Sequence, residues 1–212
     1  MAERPTTDSW LQRIGAPARN AAIAMAVFLV VIWVLQIADS LMHYSLLRFG
    51  IQPRWPSRLG DIFSAPFLHV SYAHISDNTL PLAVLGFLVA LRGIARFLAV
   101  TLVIIVIGGL GVWLTASSGT DTVGASGVIF GYLGFLVARG AIERRLLDIV
   151  VAVLVGALYW SILPLLLPGN PGISWQGHLF GLAGGVTSAW WFRSRRPELP
   201  PADQPAALPA AA

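Results

Sequence analysis

Three short stretches of this sequence hold residue types able to make and break acyl bonds. They are His74 with Asn78, Gly124-Ala125-Ser126-Gly127, and Gly177-His178. A Ser–His pair is the minimum needed to activate a hydroxyl nucleophile. Ser126 lies between glycines, which lets another group approach its backbone closely. At the start of a helix, the free N–H groups around it could hold an oxyanion. His178 is the candidate base. His74 and Asn78 are four residues apart, so on a helix they share a face. Both can donate hydrogen bonds to developing negative charge. No carboxylate stands at a comparable position, so the pattern reads as a dyad and not a triad.

Each stretch also has a plainer structural reading. Ser126 with Gly127, Gly131 and Gly134 reads as a packing stripe between membrane helices, and a lone G-x-S-G is a weak signal. A lone His in a span is commonly a satisfied structural residue. His74 and Asn78 also fit a polar helix start with Ser76 or Asp77 as N-cap. Pro81 fits best in a first turn, which predicts a regular helix from near Asp77 and leaves His74 just outside it. His69 and His178 do not suggest a metal site: the spacing is no known ligand pattern, and H-E-x-x-H and a carboxylate ligand are both lacking. The absence of Cys excludes disulfides, thiol catalysis and Cys-based metal sites.

The elements that must position these residues are membrane helices. The chain is 56% hydrophobic and 11% charged, with a mean hydropathy of +0.73. A soluble domain of this size needs more charged surface. A span takes about 20 apolar residues. Six runs meet or approach that length, at about 21–41, 75–91, 97–116, 123–138, 146–167 and 173–192. The expected class is all-α, a polytopic membrane protein of six transmembrane helices. The first run is too long for a signal core and lacks a clear cleavage site, so it reads as a retained span. All 14 basic residues are Arg. With the N-terminus inside, eleven Arg fall on the inner side and three, Arg48, Arg54 and Arg58, on the outer side. This predicts both termini in the cytoplasm. The second, fourth and sixth spans then all enter from outside, bringing His74, Asn78, Ser126 and His178 to similar depth. Polar groups in spans are expensive, so their clustering asks for a functional reason. The long outer loop, from about 42 to 74, is expected to fold against the membrane interface. Residues 1–19 are expected to form a cytoplasmic N-terminal segment, 20–193 the transmembrane domain, and the Pro- and Ala-rich 194–212 a disordered cytoplasmic tail. No Arg/aromatic stripe suggests nucleic acid.

These motifs together resemble the rhomboid intramembrane serine proteases. The matching pieces, in order, are His69, His74-Ile-Ser-Asp-Asn78, Gly124-Ala-Ser-Gly127 and His178-Leu-Phe-Gly181-Leu-Ala-Gly-Gly185. The resemblance spans roughly residues 20 to 193 and includes six spans, the family's minimal bacterial core. It implies Ser126 as nucleophile and His178 as general base. It also implies His74, Asn78 and the Ser126 N–H as oxyanion donors. Gly124 and Gly127 would shape the nucleophile turn, and Gly181 and Gly185 would seat the sixth span against the fourth. The implied substrates are single-span membrane proteins cut near the outer face, in what is expected to be a bacterial plasma membrane, with no metal or organic cofactor. There are departures. Arg54-Trp55 is reversed and earlier than the Trp-Arg pair of many members. Phe130 stands where some members place a Tyr stacked on the catalytic His.

Two other functions fit parts of the pattern. A catalytically inactive relative that binds client transmembrane helices would share the fold, though Ser126 and His178 are intact. A small transporter is opposed by the lack of an inverted repeat and of charge deep in the spans.

Overall fold

The computed structural model describes residues 7–194. Six α-helices carry the fold: α1 (Thr7–Leu41), α2 (Tyr72–Ala90), α3 (Ile94–Thr115), α4 (Ser126–Glu143), α5 (Leu146–Tyr159) and α6 (Trp175–Trp191). No strand is found among the described residues. Five segments are long and apolar enough to cross a membrane: Gly15–Leu41, Tyr72–Ala90, Ile94–Thr115, Ser126–Glu143 and Leu146–Leu166. The last of these joins α5 to a 3-10 helix, Trp160–Leu166. α6 has 17 residues, a length of about 25 Å at 1.5 Å per residue. It falls just short of a full span and is packed within the bundle.

α4 is the axis of the bundle. Its residues Val128 to Leu136 are all buried. α2, α3, α5 and α6 pack around it, and α1 packs mainly on α2. The outward faces are apolar: Val27, Val30 and Val34 of α1, Leu98 and Leu102 of α3, and Leu154 and Leu158 of α5 are exposed. In water such a surface would drive aggregation, so hydrocarbon is the solvent this protein is built for. It is an integral membrane protein.

One expectation needs correction. The helix start is not near Asp77. α2 begins at Tyr72, and Ser71 is its cap: the extended Ser71 backbone lets its Oγ accept from the His74 N–H at 3.1 Å. His74 is therefore in the first helical turn, not outside it. Pro81 is interior, and it deprives the Asp77 carbonyl of its usual donor. α1 is already helical at Thr7, so its first turns belong to the expected N-terminal segment 1–19. The expected tail lies outside the described residues, except for Ser194.

The loop between α1 and α2 folds into three short 3-10 helices, Ser45–Phe49, Pro56–Ile62 and Ala65–Phe67. It packs on the end of α3, where Ile51, Ile62, Ala65, Val112 and Ala116 form a small apolar cluster. Arg54 binds the loop there. Its guanidinium donates to the Ala116 carbonyl at 2.7 Å and to Ser118 Oγ at 2.6 Å, capping the carbonyl end of α3. At the other end of the bundle, buried Asp148 accepts from Arg92 and, at 3.2 Å, from buried Arg139. Arg139 also lies 3.4 Å from Glu143. This ionic cluster joins the α2–α3 turn to α4 and α5.

Candidate active site

α2, α4 and α6 begin at the same end of the bundle, and their first turns converge. α4 starts at Ser126 with no side-chain cap on its first N–H groups. α6 starts after Ser174, whose Oγ accepts from the Gly177 N–H at 3.2 Å. That places His178 one turn into α6, buried and facing α4. His178 Nε2 is 2.9 Å from Ser126 Oγ.

The opposite nitrogen of the ring settles the direction of that bond. His178 Nδ1 is 2.9 Å from the Leu165 carbonyl oxygen. A carbonyl only accepts, so Nδ1 carries the proton and donates. Nε2 is left as an acceptor, and the Ser126 hydroxyl donates to it. A backbone carbonyl thus orients the imidazole where a carboxylate would do so in a triad. Phe130 stacks on the His178 ring, with centroids 4.4 Å apart and planes 21° from parallel.

The approach of α6 to α4 depends on glycine. A Cβ on Gly181 would strike the Gly127 carbonyl, and one on Gly185 would strike the Gly131 carbonyl and come within 2.8 Å of the Phe135 nitrogen. These obstacles are backbone, so no side-chain rotation could relieve them.

Beside Ser126, Gly124 adopts φ +122°, a region L side chains rarely adopt. Any Cβ there would also lie 2.8 Å from His74 Nε2. The turn therefore brings His74 against the peptide that precedes Ser126. Buried Asn78 Nδ2 and His74 Nδ1 have no hydrogen-bond partner among the described residues. Unpartnered buried polar atoms are rare and ask for a reason. All four side chains border one cavity of about 450 Å³, which loop residues such as Ile62 and Val70 also line.

Three contacts around the Ser126 turn were not readable from residue spacing. Ile51 and Thr122 exchange backbone hydrogen bonds of 2.9 and 3.1 Å. The Gly124 N–H donates to the Ala65 carbonyl at 2.9 Å. The Ala125 N–H donates to Nε2 of buried His69 at 3.3 Å. The long loop is thus a template for the turn that carries Ser126. Burial, followed by the neighbouring His74, pushes His69 down from 6.5 to about 4, against an upward pull from the Phe67 carbonyl. His69 is therefore neutral near pH 7 and free to accept. The sequence marked His69 only by its place five residues before His74 and as the first of the pieces that resemble the rhomboid family, and neither signal pointed to this role. The orienting Leu165 carbonyl had none, because every residue has one.

A family model described as "Rhomboid domain" matches residues 56–195, which takes in α2 to α6 and most of the long loop. The chain belongs to the rhomboid family. Similar proteins are bacterial. An "Uncharacterized protein Rv1337" of Mycobacterium tuberculosis (strain ATCC 25618 / H37Rv) is 40% identical over 171 residues, covering 77% of this chain and 71% of that protein. "Uncharacterized protein ML1171" of Mycobacterium leprae (strain TN) is 37% identical over 176 residues, 79% of this chain and 70% of the relative. "Putative rhomboid protease YdcA" of Bacillus subtilis (strain 168) is 30% identical over 124 residues, 56% and 59% of the two chains. This rhomboid therefore has all four polar side chains of its site on segments inside the matched region.

Proposed function

We propose that this rhomboid is an intramembrane serine endopeptidase that cuts transmembrane proteins near the outer membrane face. The observation that carries this reading is the 2.9 Å contact between Ser126 Oγ and His178 Nε2 inside a helix-walled cavity. Ser126 attacks the scissile carbonyl carbon as His178 Nε2 takes its proton. The carbonyl oxygen becomes an oxyanion held by His74, Asn78 and the Ser126 N–H. His178 returns the proton to the leaving amine, and the acyl group remains as an ester on Ser126. Water then attacks the ester as His178 Nε2 takes its proton; the ester bond breaks, His178 returns that proton to Ser126 Oγ, and the new carboxyl end leaves. Water and a polar substrate backbone can meet in such a pocket without exposing polar groups to lipid. The substrate helix must unwind locally, which favours targets with helix-destabilising residues near that interface.

The Arg distribution supports the accompanying topology, with both termini in the cytoplasm and the site toward the outside. Residues 20–193 form the catalytic transmembrane unit.

The test is covalent labelling of the purified chain by a fluorophosphonate, with the modified residue mapped, alongside cleavage of a model transmembrane substrate. Label on Ser126 is expected, and Ser126→Ala and His178→Ala each abolish cleavage while the protein still inserts. Asn78→Ala loses one oxyanion donor, worth about 2.7–4 kcal/mol or roughly 10²–10³-fold in turnover. Wild-type cleavage by Ser126→Ala would end the proposal.

A further inference from the structure

The end of the bundle opposite Ser126 carries a second concavity. α4 places Arg144 there, about 27 Å from Ser126 along an 18-residue helix. Between α4 and α5 runs a groove of about 520 Å³. Its floor is Gly140, Ala141 and Ala152, where a Cβ on Gly140 would press on Ala152. Its walls are Val137, Ile149 and Val153, and Arg144 closes the end. The walls face outward: Val153 is 63% exposed and Ile149 41%. In a bilayer this groove opens to acyl chains.

Among the described residues of α2 to α6, this end of the bundle carries Arg92, Arg96, Arg139, Arg144, Arg145 and Arg193 against Glu143 and Asp148, and Arg144 is the one that borders the groove. Those two carboxylates are committed to Arg92 and Arg139. Arg144 donates from Nε to the Ala141 carbonyl at 3.3 Å, and Arg145 reaches only Ser194 Oγ at 3.5 Å. Neither has a carboxylate partner among the described residues. Arg144 is also held at φ +55°, the left-handed cap that glycine takes most readily. A charged side chain kept at a position suited to glycine is a backbone outlier that points to a function.

We infer that this groove binds one anionic phospholipid, with an acyl chain along α4 and α5 and the phosphate on Arg144. Apolar walls alone would accept any lipid tail; the unpaired guanidinium of Arg144 selects the negative headgroup. The inference stands apart from proteolysis, because none of its residues borders the Ser126 cavity.

Native mass spectrometry of the full chain tests it, using micelles doped equally with phosphatidylglycerol and phosphatidylcholine of identical acyl chains. The wild type is expected to retain phosphatidylglycerol about tenfold over phosphatidylcholine, the size of one charge-assisted contact. Arg144→Gly suits the backbone, so its thermal midpoint stays at or above wild type while the preference disappears. Ala141→Phe, at an exposed position bordering the groove, projects a ring into it and reduces retention of both lipids. Glycerol phosphate, a headgroup without tails, does not compete. Equal retention of both lipids by the wild type would overturn the inference. So would undiminished preference in Arg144→Gly, unchanged retention in Ala141→Phe, or displacement by glycerol phosphate.

Discussion

Gly181→Ala tests whether the spacing of α4 and α6 sets the chemistry of the site. The added Cβ would lie 2.9 Å from the Gly127 carbonyl carbon and 3.1 Å from its Cα, besides striking its oxygen. Ordinary contact begins at 3.4 Å, so the two helices must part by about half an ångström or more at that point, as overpacking requires. Gly127 adjoins Ser126, and Gly181 is three residues from His178. The displacement therefore stretches the 2.9 Å Ser126–His178 bond directly. A misplacement near 1 Å costs about 10²-fold in rate, and overpacking costs about 1–3 kcal/mol of stability. The assay is the rate of fluorophosphonate labelling of Ser126, read beside the thermal midpoint in the same detergent. Gly177→Ala is the control on the same helix, because its Cβ meets nothing closer than Ser174 Oγ at 3.4 Å. We expect labelling to fall by about 10²-fold in Gly181→Ala, in excess of any loss of folded protein, and to stay near wild type in Gly177→Ala. Wild-type labelling by folded Gly181→Ala would refute the reasoning.

Two further outcomes follow from buried charge. Asp148→Asn takes from buried Arg139 its 3.2 Å carboxylate partner and leaves it Glu143 at 3.4 Å; breaking a buried pair outright costs about 3–5 kcal/mol, which is the upper bound here. The thermal midpoint is expected to drop while the folded fraction labels at the normal rate, and a selective loss of labelling would contradict this. His69 has a folded value of about 4 against 6.5 when free, so between those values the unfolded chain binds more protons and stability rises with pH. Stability is then complete above pH 6.5 and declines by up to about 3 kcal/mol toward pH 4. Chemical denaturation across pH 4–7 reads this slope, and His69→Gln, which retains an acceptor, should flatten it.

Much of the architecture was legible in the residues because lipid imposes a simple length rule. Apolar runs near 20 residues mark helices, and alternating direction brings the starts of α2, α4 and α6 to one end. The polar residues placed at those starts follow from that alone. Less legible were the helix boundaries. Pro81 suggested a start near Asp77, but Ser71 supplies a cap one turn earlier, and a proline inside a membrane helix is tolerated when neighbours compensate. The clustering of Arg92, Arg139 and Asp148 was also hidden, because residues 92 and 148 meet only after the helices pack.

By itself the sequence determined which side chains exist at each end of each helix, and therefore which chemistry was available. Tertiary structure decided their separations and their proton positions. The gap between Ser126 and His178 is set by glycine backbones lying against carbonyls of α4. The tautomer of His178 is set by the carbonyl of Leu165, and the turn before Ser126 is held by His69, Ala65 and Ile51. Backbone groups are the same in every residue, so their partners become visible only when distant segments are brought together.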